Sequence, residues 1–279
     1  MEADALGDPI DTVEDGLMSD VVSTSIGNVR VIELDAPQRL NALDRGMLAE
    51  FAAAVEVVRA DPDARALVVR ASGRAFCAGA DLENLFGDPD RPTGVIRDDL
   101  KGVYAAFLGL RALAVPTIAA VRGHAVGAGF NIAMACDVVV ARSDARFAVS
   151  FADLGLHPGG GCSWFLTSRL GRGRALMTVL NADTITAGDA AGLGLVTELN
   201  EAPEERALAL AAKWSERDPK LVRDMKRAIQ LSETADLDDV IEYESWAQAS
   251  SVASPLFRET LDRFAARAAH RQQSSRSDS

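Results

Sequence analysis

Between residues 20 and 200 the hydrophobic pattern switches between short apolar runs and longer stretches of helical period. Val21 to Leu34 is divided by Gly27-Asn28, which predicts strands joined by a turn. Asp44 to Arg59 carries apolar residues at 48, 51, 52, 55 and 58, the spacing of one helix face. The run ending at Arg70 reads as a buried strand, residues 98–113 as a helix, and Pro116 to Val121 as a second short strand. A helix over Ala128 to Ala135 and a strand over Asp137 to Ala141 follow. Thr186 to Ala190 starts a short helix, and Leu193 to Leu199 has strand character. Strand–helix alternation of this kind predicts an α/β layer arrangement with parallel strands. From about residue 203 onward the pattern is helical in several pieces.

The chain therefore divides into a leader over 1–19, an α/β core over 20–200, a helical C-terminal region over 201–270 and a tail over 271–279. The leader holds Gly, Pro and acids without periodicity, and the tail is polar; both are expected to be flexible. The core and helical region together are long enough to bury a substantial interior.

Composition narrows the functional classes. With hydrophobic residues at 48% and charged residues at 25%, the chain is of ordinary globular type. The formal net charge of −12 argues against nucleic-acid binding. No apolar run reaches the roughly 18 residues of a membrane helix, so no membrane partner is expected. The acidic N-terminus differs from secretory and transit signals, which gives a cytoplasmic expectation. Cys77, Cys136 and Cys162 lack metal-ligand spacing and read as buried small apolar residues; no metal is predicted.

Candidate chemistry lies in two runs of small residues, 74–82 (Arg-Ala-Phe-Cys-Ala-Gly-Ala-Asp-Leu) and 122–132 (Arg-Gly-His-Ala-Val-Gly-Ala-Gly-Phe-Asn-Ile). Each follows a strand-like stretch and precedes a helix-like one. Such turns let backbone N–H groups face a ligand. Two of them can supply the donors of an oxyanion hole, a device that stabilises negative charge on a carbonyl oxygen as it becomes an enolate or tetrahedral centre. Phosphate binding by Gly123 to Gly129 is a weak alternative, because the Lys-Ser/Thr of a P-loop is missing.

These two segments, with Pro37 to Leu43 and Leu156 to Gly161, resemble the four signature blocks of the crotonase (enoyl-CoA hydratase/isomerase) superfamily, in its order and spacing. The resemblance implies a crotonase-like spiral of ββα units with a helical C-terminal region that completes the acyl pocket. It implies an acyl-CoA thioester as partner, with coenzyme A as part of the substrate and no other cofactor. Assembly as a homotrimer or dimer of trimers is a further implication. Matched residue by residue, the oxyanion donors fall on the backbone N–H groups of Ala80 and Ala128. The CoA-binding positions fall on Arg39, Leu40, Ala78, Asp81 and Leu82.

The resemblance also locates a departure. Hydratases of this family use two glutamates, and their positions hold Asn131 and Phe151. Asparagine can hold water but cannot take its proton near neutral pH. Phenylalanine can do neither and instead walls an acyl pocket. Ordinary hydration is therefore doubtful, and substitute acid–base groups are sought in Asp153 and His157. His124, Glu242 and Glu244 are weaker candidates, and Asp137 reads as a packing residue. Two readings stay open: a crotonase-type lyase or isomerase with non-standard acid–base residues, and a non-catalytic acyl-CoA-binding protein.

Overall fold

The computed structural model describes residues 19–265, so the expected leader before Ser19 and the tail from 271 lie outside the described residues. The described chain forms two compact units, one reaching Pro219 and one beginning at Lys220. In chain order the first contains β1 (Val21–Ile26), β2 (Val29–Leu34), α1 (Arg45–Ala60), β3 (Ala66–Ala71), α2 (Leu82–Phe86) and α3 (Thr93–Leu108). There follow β4 (Thr117–Val121), β5 (His124–Val126), α4 (Ala128–Ala135), β6 (Val138–Ala141) and β7 (Arg146–Ala148). The unit is completed by α5 (Cys162–Asn181), β8 (Thr184–Thr186), α6 (Ala187–Gly192), β9 (Glu198–Leu199) and α7 (Pro203–Ser215).

Six strands form one sheet in the order β1-β2-β3-β4-β6-β9, and three form a second in the order β5-β7-β8. Only β1–β2 is antiparallel in the large sheet. Gly27, at φ +57°, supplies the left-handed backbone that a two-residue hairpin turn needs. The parallel strands are apolar on both faces because both are covered. Ile32, Leu67, Val69, Ala119 and Val139 belong to the main core with α1, while Val31, Val68, Ile118 and Val140 pack with Ala207 and Ala211 of α7. Thus α7, within the stretch read as C-terminal region, seals the far face of the sheet. Asp44 caps α1 by accepting from Met47 N at 2.8 Å, and the buried face of α1 carries Leu48, Phe51, Val55 and Val58.

At the start of β4 and β6, Asp137 Oδ2 accepts from Thr117 N (2.7 Å) and Oγ1 (2.9 Å), so Asp137 serves the sheet. The stretch 193–199 differs from its strand expectation. Gly194, at φ +78°, turns the chain, and Leu195 N and Val196 N both donate to Ala190 O. Leu195 and Val196 enter the core as part of a helix terminus, leaving only Glu198–Leu199 to pair with β6. Helix α5, absent from the sequence reading, is broken at Gly171 (φ 73°, ψ 163°). The second unit, taken by itself, holds α8 (Pro219–Leu231) and α9 (Leu237–Val252), with further helix over 255–265. No helix among the described residues is long and apolar enough to cross a membrane.

One buried amide ties the loops behind the site together. Asn41, itself at φ +55°, accepts from Ala36 N at 2.8 Å and donates to Ser72 O (3.0 Å) and Ala75 O (2.9 Å). Replacing it with alanine takes the side-chain partner from two buried backbone groups, Ala36 N and Ala75 O, and from the part-buried Ser72 O. Asn41→Ala is therefore expected to cost roughly 3 kcal/mol, a fall in melting temperature of about 5–10 °C by differential scanning calorimetry. An unchanged transition would show that the strap carries no stability.

Candidate active site

The two small-residue turns lie against each other. Cys77 N donates to His124 O at 2.9 Å and Val126 N donates to Cys77 O at 2.9 Å, a parallel bridge between the segments. Two glycines permit this approach. A Cβ on Gly79, at φ +100°, would stand 2.8 Å from Val126 O, and one on Gly129 would stand 2.6 Å from Cys77 Cβ.

This pairing fixes where Ala80 and Ala128 point. Ala80 bridges Leu43: Leu43 N donates to Gly79 O (2.8 Å) and Asp81 N to Leu43 O (2.9 Å). In a parallel bridge the flanking residues make those bonds, so the N–H of Ala80 itself faces the other way. Ala128 opens α4, where the first N–H groups have no intrahelical partner and the helix dipole favours negative charge. Neither N–H makes a hydrogen bond among the described residues. Ala80 and Ala128 both line one cavity of about 450 Å³.

The rest of that cavity is mainly apolar. Leu85 and Phe86 of α2, Val103 and Phe107 of α3, and Leu154 and Leu156 supply much of the wall. No Asp or Glu lines it among the described residues. Asn131 and Phe151 both do, and the Phe151 ring lies 3.8 Å from where a Gly127 Cβ would be. Asn131 is buried, donates from Nδ2 to Gly159 O at 2.9 Å, and leaves Oδ1 buried without a partner.

The substitute acid–base candidates separate. Asp153 is exposed on a short 3-10 turn (Ala152–Leu154) and is not among the lining residues. His157 is exposed at the cavity wall, with Nδ1 2.8 Å from Pro158 O. That contact needs a proton on Nδ1, which leaves Nε2 as the basic nitrogen. His124 is exposed on β5 and outside the lining. Glu242 accepts from Trp246 Nε1 at 2.9 Å within α9, and Glu244 lies on the same helix; both belong to the second unit.

Of the expected CoA positions, Ala78 and Leu82 line the cavity. Asp81 caps α2 by accepting from Asn84 N at 3.0 Å. Leu40, at φ +56°, accepts from Ala78 N through its carbonyl at 2.9 Å. Arg39 pairs with Asp20 and Asp44, each at 2.5 Å, so its guanidinium is already engaged by two carboxylates. Among the described residues no group of three or more His, Cys, Asp or Glu is placed to hold a metal ion.

One lining residue escaped the sequence reading. Tyr104, on α3, is half-buried in the wall. Burial pushes its phenol pKa up, and a backbone hydrogen bond from Gly160 partly opposes that rise. Helical period across 98–113 gave no signal that this position faces a ligand; only its proximity to Gly159 and Gly160 reveals it.

The fold and this site define a crotonase-like α/β protein with a helical C-terminal region. The profile of the enoyl-CoA hydratase/isomerase family matches residues 24–273, and the chain belongs to that family. A probable enoyl-CoA hydratase of Mycobacterium tuberculosis is 37% identical over 243 residues, covering 84% of this chain and 93% of the relative. The enoyl-CoA hydratase subunit I structure from Geobacillus kaustophilus superposes with a TM-score of 0.81 at 34% identity, over 89% of this chain and 95% of that one. A Thermobifida fusca structure solved in complex with CoA gives a TM-score of 0.77 at 29% identity, over 84% and 93% of the two chains.

The thiols beneath the turns offer a direct check on the packing. Burial pushes Cys77 and Cys162 up to about 12, and Cys136 is buried as well. At pH 8 the thiolate fraction of the first two is on the order of 10⁻⁴. The native protein is expected to give almost no rapid reaction with a thiol-disulfide reagent, and three thiols once unfolded. A rapid native reaction would mean the turns open.

Proposed function

We propose that the protein is an acyl-CoA-processing enzyme of the lyase or isomerase type, in which the N–H groups of Ala80 and Ala128 hold the thioester oxygen. The observation that supports this is that Ala80 and Ala128 line one mainly apolar cavity and that neither N–H makes a hydrogen bond among the described residues. A thioester carbonyl gains negative charge when a proton leaves the neighbouring carbon. Fixed donors stabilise that charge more than they stabilise the neutral ester, so they lower the barrier.

The acid–base step does not follow the two-glutamate pattern. With Asn131 and Phe151 on the wall, no carboxylate is placed to deprotonate water, and efficient ordinary hydration is not expected. His157 Nε2 is the better candidate base, since Asp153 stands outside the lining. In this reading coenzyme A lies along Ala78, Asp81, Leu82 and the Arg39-Leu40 turn, of which Ala78 and Leu82 line the cavity. Arg39 can reach a phosphate only by giving up Asp20 or Asp44. A homotrimer or dimer of trimers in the cytoplasm completes this reading. The absence of a lining carboxylate also favours a second reading, an acyl-CoA-binding protein without turnover.

The test combines mass spectrometry with a substitution that removes one donor. A panel of saturated, enoyl and β-substituted acyl-CoAs is incubated with the protein in deuterated water. Isotope exchange beside the thioester, or another covalent change, is expected for at least one ester. Proline is tolerated at the first position of a helix, so Ala128→Pro deletes the N–H while keeping α4. It is expected to slow the reaction about 10²–10³-fold with the melting temperature little changed. Esters that bind and return unchanged would make the protein a binder; esters that do not bind at all would sink both readings.

A further inference from the structure

One peptide unit holds two polar side chains of the cavity at once. The carbonyl of Gly159 accepts from Asn131 Nδ2, and the backbone N–H of Gly160 is directed at the Tyr104 hydroxyl. These are the two ends of the Gly159–Gly160 peptide, and in a trans peptide they point in opposite directions. Both residues must be glycine for the clamp to close. A Cβ on Gly159 would fall 2.2 Å from Tyr104 Oη, and one on Gly160 would fall 2.6 Å from Asn131 Nδ2.

The clamp determines what each side chain can offer. A carbonyl accepts only, so the Asn131 NH₂ must face Gly159, and Oδ1 is left as an acceptor. That oxygen is buried in the wall of the cavity with no partner, a costly arrangement unless something bound there donates to it. The Tyr104 hydroxyl lies at the cavity wall and donates to no group among the described residues, so its proton is free to be donated. A recessed acceptor and a free hydroxyl donor, neither charged, therefore line a mainly apolar chamber whose other polar side chains, among the described residues, are Ser150 and His157.

We propose that Tyr104 and Asn131 form a specificity pair that recognises an uncharged hydroxyl on the acyl chain of the bound thioester. The substrate hydroxyl donates to Asn131 Oδ1 and accepts from Tyr104 O–H, so one small group satisfies both. A saturated chain of the same length leaves the acceptor unpaired. This inference rests on the acyl-CoA reading above and adds the chemical class of the acyl group.

The experiment measures dissociation constants by calorimetry for butyryl-CoA, its 2-, 3- and 4-hydroxy derivatives, and succinyl-CoA. At least one hydroxy ester is expected to bind about tenfold or more tightly than butyryl-CoA, the worth of two neutral hydrogen bonds. Tyr104→Phe keeps the ring and is expected to erase most of that preference, read as the ratio of the hydroxy-ester to butyryl-CoA dissociation constants in the same variant. Asn131→Ala is expected to do the same, and Tyr104→Phe alone decides the matter if the alanine variant does not fold. Equal binding of butyryl and hydroxy esters would overturn the pair, as would a preference that survives Tyr104→Phe. Succinyl-CoA binding more tightly than every hydroxy ester would also overturn it, and would move recognition to the neighbouring cleft that Arg97 and Lys101 line. Failure of all five to bind would instead strike the acyl-CoA reading itself.

Discussion

The site depends on a backbone pairing two hydrogen bonds long. Cys77 meets His124 and Val126 through its own N–H and carbonyl, and everything chemical about the cavity follows from that register. It sets the Ala80 turn beside the start of α4. A shift of one residue would turn Gly79 away from Val126 and place a side chain where the two backbones now touch. The surrounding architecture serves this contact. Strand β3 delivers the first turn, β4 the second, and Asn41 braces the loop between β3 and Cys77. An N–H belongs to the backbone, so alanine at 80 and 128 keeps the group that the proposed reading uses.

On the proposed reading, the lining then decides what an oxyanion hole at Ala80 and Ala128 can do. An oxyanion hole lowers the energy of an enolate or tetrahedral centre but moves no proton. With carboxylates at two wall positions, the same hole would serve the addition of water. On the proposed reading, with an amide and a phenyl ring there, proton transfer falls to another group, and His157 and Tyr104 are the titratable side chains among the described lining residues. The Tyr104 phenol is held by burial in its neutral form, so it acts as a hydrogen-bond donor and is a poor base at neutral pH. The family relationship and the altered wall are thus compatible: one concerns how the ester is held, the other what happens next.

Much of this was legible in the chain because glycines and strand-like runs report backbone constraints directly. The hairpin at Gly27-Asn28, helix α1 behind Asp44, and helix α4 after the second turn follow from local pattern alone. The small sheet of β5, β7 and β8 did not. Its strands are three residues each, too short for a period of two to stand out, and they are defined by partners distant in sequence. Leu193 to Val196 misled for a related reason, since buried apolar residues at a helix terminus have the composition of a strand. The C-terminal boundary is similarly a matter of packing. Ala207 and Ala211 mark α7 as a sheet-covering helix only once the second face of the sheet is known to need a cover.

Site residues divide along the same line. The two turns that carry Ala80 and Ala128 were legible because a close approach of backbones leaves a glycine-rich trace. The two ion pairs of Arg39 were not legible, because Asp20 and Asp44 are separated from it in different directions along the chain and meet it only in the fold. Tyr104 left no trace at all. Its position on α3 is an ordinary apolar-face position, and its polar end gains meaning only from Gly159 and Gly160, more than fifty residues away. The sequence does contain half of that relationship, in three consecutive glycines at 159–161. Three glycines in a row incur a large entropic cost on folding, and flexibility alone does not explain their presence in an ordered turn. The space denied to two of their Cβ atoms is occupied by Tyr104 and Asn131, so the turn has the shape of the polar pair it holds.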